Sequence, residues 1–338
     1  MDFYSHFQKA FFETWEQAGL PGHEKFLPGY HTLLQQYEDE YEFIKKSPAI
    51  STGVDAARLY SVYGFGVAIG KVFAEMLGVP SPLKQHTSDW CGRFNLGISL
   101  FDYICDELEG SQSVTSLKVF QAFVQTSNIP NRDLGPAEQL LSDLALSVFN
   151  DLKKAENKKE GFQKTDRLFN IMKQLFEAQN FISNETLSDT ANLKEIYKAL
   201  YLKSAAPFRV MAEYTAMIAN ANNPELVKKA RSIGKAIGCC YWLIDDARDV
   251  WIDLEAKQWN LFLQLAASTE PSLFSQQPGG FDPGSLLHTW KKYGHANKIS
   301  RQIIKRLVHA MKQLDISKEV EHRTLGMVSA SLWEWYHC

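Results

Sequence analysis

Residues 239–253 read CCYWLIDDARDVWID, and this stretch decides which fold and which kind of site to expect. Asp245, Asp249 and Asp253 follow one another at intervals of four residues, which places them on successive turns of one helix face. Tyr241 precedes them on that face, so the acidic row is expected to run out of an apolar interior. Carboxylates crowded in such a place need a cation between them or must bind protons.

A second acidic cluster, FDYICDE at 101–107, repeats the pattern with Asp102 and Asp106 one helical turn apart. An acid pair at this spacing is common on solvated helix surfaces. The interpretation of Asp102 and Asp106 as metal ligands therefore depends on the presence of the aspartate triple. Two such helices facing each other across a bundle would hold metal ions between them. Carboxylate oxygens suit Mg²⁺, which is usually bound by one or two carboxylates together with phosphate oxygens of a substrate.

Helical periodicity dominates the rest of the chain, and strand-like alternation is nearly absent. Helices are predicted over 55–77, 88–108, 114–126, 136–156, 161–181, 189–220, 224–256, 297–314 and 317–336. The proline- and glycine-rich stretch 268–285 is predicted to be a surface loop or a lid. Because no linker or repeat divides the chain, we expect one all-α domain over residues 1–338 with its core at 55–260.

The composition excludes several classes of protein. Of the 338 residues 45% are hydrophobic and 22% are charged, which is globular composition, and the net charge of −3 argues against a nucleic-acid partner. Five cysteines without CxxC spacing fit buried thiols better than a disulfide framework or a zinc site. We see no signal peptide and no apolar run long enough to be a transmembrane segment, so we expect a cytoplasmic protein.

These motifs together resemble the class I isoprenoid synthases, the family of trans-prenyl diphosphate synthases, terpene cyclases and squalene-type synthases. IDDARDVWID is similar to the family's second aspartate-rich motif, and FDYICDE stands where the first belongs, as DxxxD instead of DDxxD. Lys203 and Ser204 in YLKSAAPF resemble the family's Lys-Thr pair, on a helix that Pro207 would bend. Gln179 in EAQNF resembles the glutamine of the GQxxD element, without its aspartate.

The resemblance implies a bundle of the isoprenoid synthase type with a central active-site cavity and three Mg²⁺ ions. The metal ligands would be Asp102, Asp106, Asp245, Asp249 and Asp253. The residues expected to bind the diphosphate of an allylic prenyl substrate are Gln179, Lys203, Arg209, Arg248 and Lys257. The residues expected to line the pocket are Phe65, Ile98, Tyr241 and Trp242, although each could equally be ordinary helix core. The aromatic C-terminal helix at 317–336 could close the site, and a homodimer is expected from the resemblance alone.

Two departures from the family bear on the activity. The Gly-Lys-Arg element that holds a second diphosphate in chain-elongating synthases is missing, since TGVDAARLYSVYGFG carries only Arg58. The arginines that follow the first acidic motif are missing as well, because the chain continues ELEGSQSVTS. A site without these cations binds a second diphosphate poorly. We therefore expect a terpene synthase that cyclises a single allylic diphosphate.

Two alternatives remain from the sequence. The protein could be a prenyltransferase, either a prenyl diphosphate synthase or an enzyme that transfers a prenyl group to another acceptor. It could also be a noncatalytic subunit of a prenyl synthase, although the retained aspartate triple argues against that. A di-iron helical bundle is set aside, because it would need ExxH motifs on paired helices, whereas Glu319–His322 and Glu334–His337 both lie in the same C-terminal segment.

Overall fold

The computed structural model describes residues 3–38, 56–107, 192–220, 222–275 and 282–337, together with a few positions between 174 and 187. All the regular elements in these ranges are helices, as the sequence predicts. None of these helices is both long enough and apolar enough to cross a lipid bilayer. The predicted helices at 114–126 and 136–156, and nearly all of 161–181, lie outside the described residues.

The helices of the described residues pack against one another as a bundle. In chain order they are α1 (Phe3–Gln17), α2 (Leu27–Glu38), α3 (Ala56–Met76), α4 (Ser81–Glu107), α5 (Leu193–Leu200), a π-helix (Tyr201–Ala205), α6 (Ala206–Ala219), α7 (Pro224–Glu255), α8 (Leu261–Thr269), α9 (Ser272–Ser275), α10 (Pro283–Tyr293), α11 (His295–Lys312) and α12 (Lys318–His337). The long helix α7 contacts α6, the π-helix, α8, α11 and α12, so it forms the centre of the bundle.

Three predicted helices match closely, namely those at 55–77, 224–256 and 317–336, which are α3, α7 and α12. The helix predicted from Ser88 begins at Ser81 instead, because Pro82 is tolerated in a first turn. The predicted loop at 268–285 is interrupted by α9, and α10 already starts at Pro283, capped by the Asp282 side chain. Residues 276–281 lie outside the described part of the chain.

The predicted helix at 189–220 is divided into three elements around Pro207. Proline has no N–H to donate to the preceding turn and its ring crowds that turn. The chain responds with a π-helix over Tyr201–Ala205, in which the Ala206 N–H donates to the Tyr201 carbonyl five residues back. Such local widenings of a helix are frequent at functional sites. The bend expected at this position is therefore a change in helix type, and Lys203 lies within it.

The predicted helices begin at residue 55, whereas α1 and α2 precede it. Helix α1 carries an aromatic stripe at intervals of four residues, formed by Phe3, Phe7, Phe11 and Trp15, all of them buried. Phe3 and Phe7 pack edge-on against Phe262 of α8 at centroid distances of 4.9 and 5.5 Å. The N-terminal helix therefore covers the core beside α8 and helps to fix the elements that follow α7.

Candidate active site

The three aspartates of the predicted metal motif stand on one face of α7, where the helix leaves the core. Asp245 and Asp249 are about one-third exposed, with side-chain exposures of 34% and 30%. Burial raises the pKa of Asp245, and the neighbouring Asp249 raises it further. Burial also raises the pKa of Asp253, to about 7. Asp245 and Asp253 are therefore held in surroundings that disfavour their negative charge, which a cation would relieve.

Arg248 supplies the cation that neutralises the first two acids in this structure. Its Nε donates to Asp249 Oδ1 at 2.8 Å, and its Nη2 lies 3.1 Å from Asp249 Oδ2 and 3.3 Å from Asp245 Oδ1. The guanidinium therefore bridges two adjacent turns of the acidic row. Arg248 is thus placed among the proposed metal ligands rather than beyond them.

The C-terminal helix closes over the same acid. Trp335 of α12 donates from Nε1 to Asp245 Oδ1 at 3.0 Å, and its backbone carbonyl accepts from Arg248 Nη1 at 3.0 Å. Its ring packs against Phe65 at 4.8 Å and against Tyr241 at 6.2 Å between centroids. Trp335 therefore joins the acidic row to the aromatic residues beneath it.

Asp253 is held by Asn260, which follows α7 and caps the N-terminus of α8. Asn260 is buried, and its Nδ2 donates to Asp253 Oδ2 at 2.9 Å and to the Asp246 carbonyl at 3.2 Å. Its Oδ1 accepts from the Leu263 N–H at 3.0 Å, which is the capping bond. The Asn260 side chain thus both caps α8 and orients Asp253, the third acid of the row.

Asp246, the second acid of the DDxxD stretch, has a structural position. It is 7% exposed, and it accepts hydrogen bonds from Trp242 Nε1 at 2.8 Å and from the Leu261 N–H. Burial raises its pKa well above the ordinary range, with a further contribution from Asp245. This carboxylate ties the start of α8 to α7 and faces away from the acidic row.

Beneath the acids lies a cavity of about 150 Å³ with aromatic walls. Its lining consists of Phe65, Asn95, Ile98, Ser99, Leu175, Lys203, Ser204, Pro207, Phe208, Tyr241, Trp242, Asp245 and Trp335. Phe208 stacks on Tyr241 at 4.7 Å, and Phe65 meets Tyr241 edge-on at 5.1 Å. All four residues expected to line a pocket are therefore found in the wall of this one cavity.

Lys203 reaches the acidic row from the π-helix. It lines the cavity together with Ser204 and Asp245, and its ammonium lowers the pKa of both Asp245 and Asp253. An electrostatic effect on two acids of the row means that the cation lies near both of them. Lys203 and the aspartates, which lie more than 40 residues apart in the sequence, are thus brought to one place.

Other predicted residues lie elsewhere. Arg209 pairs with the buried Glu213 at 2.6 Å and is absent from the cavity wall, and Lys257 is exposed beyond the end of α7. Gln179 lies outside the described residues. Asp102 and Asp106 belong to the last turns of α4, but their side chains are outside the described part.

The donor set suits Mg²⁺, although no complete metal site is formed. Within the described residues, no three His, Cys, Asp or Glu side chains are close enough together to hold an ion. Asp245, Asp249 and Asp253 offer only carboxylate oxygens, the hard donors that Mg²⁺ prefers. The raised pKa values of Asp245 and Asp253 indicate that negative charge there is undercompensated. The row therefore fits as one wall of a site that a substrate and a second group of acids would complete.

The sequence does not predict two contacts of this site, namely that of Trp335 with Asp245 and that of Asn260 with Asp253. Trp335 is 90 residues away from its partner along the chain, and no local pattern could reveal that contact. Asn260 carries a readable signal, since an asparagine just before an apolar run predicts a helix N-cap. Its hydrogen bond to Asp253 could be predicted only if the conformation of the turn between α7 and α8 were known.

Comparisons with known proteins bear on the fold. No protein-family model matches the sequence, and no curated protein matches it. Among solved structures, a geranylgeranyl pyrophosphate synthase from Lactobacillus brevis is similar, with a TM-score of 0.55 and 14% identity over 95% of this chain and 98% of that one. A polyprenyl synthase from Roseobacter denitrificans has a TM-score of 0.53 and 15% identity, over 97% and 99% of the two chains.

A geranylgeranyl pyrophosphate synthase from Corynebacterium glutamicum gives a TM-score of 0.53 and 13% identity, with 98% of this chain and 94% of that one covered. These likenesses run along nearly the whole of each chain, so they concern the complete bundle and not a shared helical hairpin. The protein therefore has the all-α fold of the trans-prenyltransferase-like isoprenoid synthases.

Proposed function

We propose that the protein is a metal-dependent enzyme that ionises an allylic prenyl diphosphate and transfers the prenyl group to an acceptor. One observation carries this proposal: the acidic row of α7 and Lys203 of the π-helix meet at one end of an aromatic cavity. The fold supports it, because the similar structures named above are prenyl diphosphate synthases. For that reason prenyl transfer is preferred here to the cyclisation expected from the sequence.

The acidic row would hold the metal. Asp245, Asp249 and Asp253, with Asp102 and Asp106 as a second wall, would bind Mg²⁺, which when bound neutralises charge that builds on the departing diphosphate. Lys203 would donate hydrogen bonds to the same diphosphate from the opposite side. Arg248 is engaged with Asp245 and Asp249, so its guanidinium would turn from the acids to the diphosphate when a cation replaces it.

The cavity would protect the cationic prenyl group. Phe65, Phe208 and Tyr241 present ring faces and edges to the space next to Asp245. Aromatic faces attract cations by about 2 kcal/mol or more in a desolvated pocket. Trp335 would exclude water at the end nearest the acids, since its indole already spans from Phe65 to Asp245.

Cyclisation of a single substrate is the second candidate. It is favoured by the absence of arginines in ELEGSQSVTS, directly after Asp106, and of a Gly-Lys-Arg element near Arg58. Both absences reduce the number of cations available for a second diphosphate. Transfer to an acceptor that carries no diphosphate would agree both with these missing cations and with the proposed transferase activity.

The test is incubation of the purified protein with Mg²⁺ and geranyl, farnesyl or geranylgeranyl diphosphate, each with and without isopentenyl diphosphate. Elongation that needs isopentenyl diphosphate supports a prenyl diphosphate synthase, and a hydrocarbon from one substrate alone supports the cyclase. The D249N/D253N variant is the control, since it removes two acids of the row and should abolish either reaction. If the wild type releases no diphosphate under any condition, elongation and cyclisation are both excluded, and a noncatalytic subunit or a transferase whose acceptor was not supplied becomes the better explanation.

A further inference from the structure

A second cavity of about 780 Å³ opens on the outside of the bundle, away from the acidic row. It lies between the start of the π-helix, the first half of α7 and the helix α11. Its lining consists of Tyr197, Tyr201, Ser232, Lys235, Ala236, Cys239, Gln302, Ile303, Lys305, Arg306, His309 and Ala310. We call it the basic groove, because its lining contains Lys235, Lys305 and Arg306 and, among the described residues, no acid.

The cations of the basic groove are not neutralised by acids within the described part of the chain. Lys235, Lys305 and Arg306 make no ion pair there, whereas Arg209 and Arg231 nearby share the buried Glu213 at 2.6 and 2.8 Å. The Glu213 carboxylate is therefore already paired with two arginines. Burial lowers the pKa of Lys235, and the positive charge of Arg209 lowers it further.

These cations come from two different helices and meet above one surface. Burial raises the pKa of the Cys239 thiol to about 11, and the charges of Arg306 of α11 and Lys235 of α7 both act against this rise, so both cations lie near Cys239. Lys235 Nζ also lies 5.6 Å from the ring centre of Tyr201. Cations from two helices thus line the same concave surface.

Helix α11 adds to this excess. Its 18 residues, HANKISRQIIKRLVHAMK, contain five lysines and arginines and no acid. Its apolar side, which includes Ile303, Ile304 and Leu307, is already buried in the bundle. The basic side of α11 is therefore the side that remains accessible to a ligand, and Arg306 on this side lines the groove.

A polar group in the floor of the basic groove also lacks a partner. The Tyr201 hydroxyl is buried and makes no hydrogen bond to any residue that the structure describes. Because a buried hydroxyl without a partner is costly, such groups are usually satisfied by a ligand or an ordered water. A bound anion in contact with Lys235 would lie next to the ring that carries this hydroxyl.

We propose that the basic groove is a binding site for a phosphate-bearing anion, separate from the active site. Lysine and arginine donors from α7 and α11 would bind phosphate oxygens, and the tyrosine rings would contact the organic part of the ligand. The source is either a free phosphate ester or the headgroup of an anionic phospholipid, which present the same phosphate chemistry.

The position of the basic groove links it to the cavity with the acidic row. Tyr197 and Tyr201 both pack on Trp242, at centroid distances of 5.4 and 6.2 Å, and Trp242 lines the cavity. Tyr201 and Lys203 belong to the same π-helix, with Tyr201 on the groove and Lys203 on the cavity. An anion in the groove would thus contact the outer side of the segment that carries Lys203.

The test measures binding of inorganic diphosphate by calorimetry in EDTA, so that metal-dependent binding at the acidic row does not contribute. Removing two charged donors in K235Q/R306Q is expected to weaken binding about 10-fold or more. K298Q/R301Q removes the same charge from the neighbourhood, on α11 but outside the groove, and K203Q removes the cation of the cavity. Both controls should change the Kd less than about twofold, and circular dichroism checks that all variants fold.

A second arm uses vesicles of phosphatidylglycerol and of phosphatidylcholine in a sedimentation assay. Loss of phosphatidylglycerol binding in K235Q/R306Q but not in K298Q/R301Q identifies a lipid headgroup as the source, and selective loss of diphosphate binding identifies a soluble ester. Equal losses in the two double variants would mean a diffuse basic face, and binding of neither probe would mean no site; each result overturns the proposal. A loss in K203Q alone would place the anion in the cavity and overturn it as well. All these outcomes are independent of whether the protein turns over a prenyl substrate.

Discussion

At the scale of single residues, the molecule compensates a row of like charges with its own side chains. Arg248 neutralises Asp245 and Asp249, Asn260 donates to Asp253, and Trp335 donates to Asp245. Each of these contacts uses oxygen atoms that a metal ion would need. Metal binding at these oxygen atoms would therefore have to displace these contacts, and this competition can be measured.

Removing the internal cation should make the protein depend more on an external one. R248Q leaves Asp245 and Asp249 without their shared partner, so in EDTA we expect it to be less stable than the wild type by about 1 kcal/mol, a modest value because the pair is partly exposed. Added Mg²⁺ should raise the melting temperature of R248Q more than that of the wild type, since binding to the native state stabilises it. Thermal unfolding with and without Mg²⁺ measures both effects. An unchanged gap between the two proteins would show that no cation takes the place of the guanidinium.

The sequence reveals the acidic row but not its partners. The interval of four residues in Asp245, Asp249 and Asp253 follows from helix geometry, and so does the apolar side that begins with Tyr241. Trp335 and Asn260 depend on how α12 and the turn after α7 are folded back, which no local pattern contains. For the same reason Arg209 looks like a diphosphate ligand in the sequence, whereas the structure pairs it with Glu213.

At the scale of elements, the close approach of α7 to the π-helix determines where Lys203 stands relative to the aspartates. Gly238 lies at this contact, and a Cβ atom added there would come within 2.2 Å of the Ala205 carbonyl oxygen. The obstacle is backbone, which cannot rotate away as a side chain can. The glycine thus allows the two elements to touch along their main chains.

G238A should therefore separate α7 from the π-helix. We expect a loss of about 1–3 kcal/mol from overpacking, only partly offset by the gain of about 1 kcal/mol in helix propensity. The matched control is G64A in α3, where the added methyl group would lie 3.6 Å from Leu34 Cδ2, an ordinary contact. Urea unfolding of both variants measures the difference. Equal stability of G238A and G64A would contradict the assigned contact.

The junction of α8 and α10 should give the protein an acid-sensitive contact. Glu270 accepts hydrogen bonds from Lys292 Nζ and Thr289 Oγ1, both at 2.7 Å. These contacts, with Lys292 first, lower the pKa of Glu270 to about 2 from an ordinary value of 4.5. Because the folded-state pKa is lowered, the contribution to stability is complete above pH 4.5 and is lost as the pH falls towards 2.

E270Q should accordingly be less stable than the wild type at pH 7, and the difference should shrink as the pH is lowered from about 5 to 2. Urea unfolding at several pH values measures this dependence. K292M should cost less in the E270Q background than in the wild type, since the contact with Glu270 is already gone and the one with Tyr293 remains. A stability difference that stays constant from pH 7 to pH 2 would contradict the ion pair.

At the scale of the whole molecule, the sequence predicts the fold class correctly, but it does not predict the N-terminal helices or the division of the helix at 189–220. The all-α bundle follows from helical periodicity, and α3, α7 and α12 are predicted nearly to the residue. The helices α1 and α2 are not predicted, although the four-residue aromatic stripe of α1 is a readable signal. The split of the helix at 189–220 depends on how Pro207 is accommodated, and a π-helix is one of several ways to do that.

The single domain proposed for residues 1–338 rests on contacts between the two ends of the chain. Trp333 of α12 stacks on His23 at 3.9 Å and meets Phe12 of α1 edge-on at 5.2 Å. Helix α12 also packs on α2 and α3, and α1 packs on α11 and α7. If the ends hold one cooperative core together, damage at their contact should destabilise the whole molecule rather than release one part.

W333A tests this directly. We expect a loss of about 2–3 kcal/mol, near the lower end for removal of a core aromatic side chain, because Trp333 is only partly buried. The loss should shift a single transition, with far-ultraviolet circular dichroism and tryptophan fluorescence giving the same midpoint in the wild type and in W333A. Both probes are informative, since the eight tryptophans lie in both halves of the chain. Two separate midpoints, with only one of them moved by W333A, would show that the ends form a unit of their own and that the chain holds more than one domain.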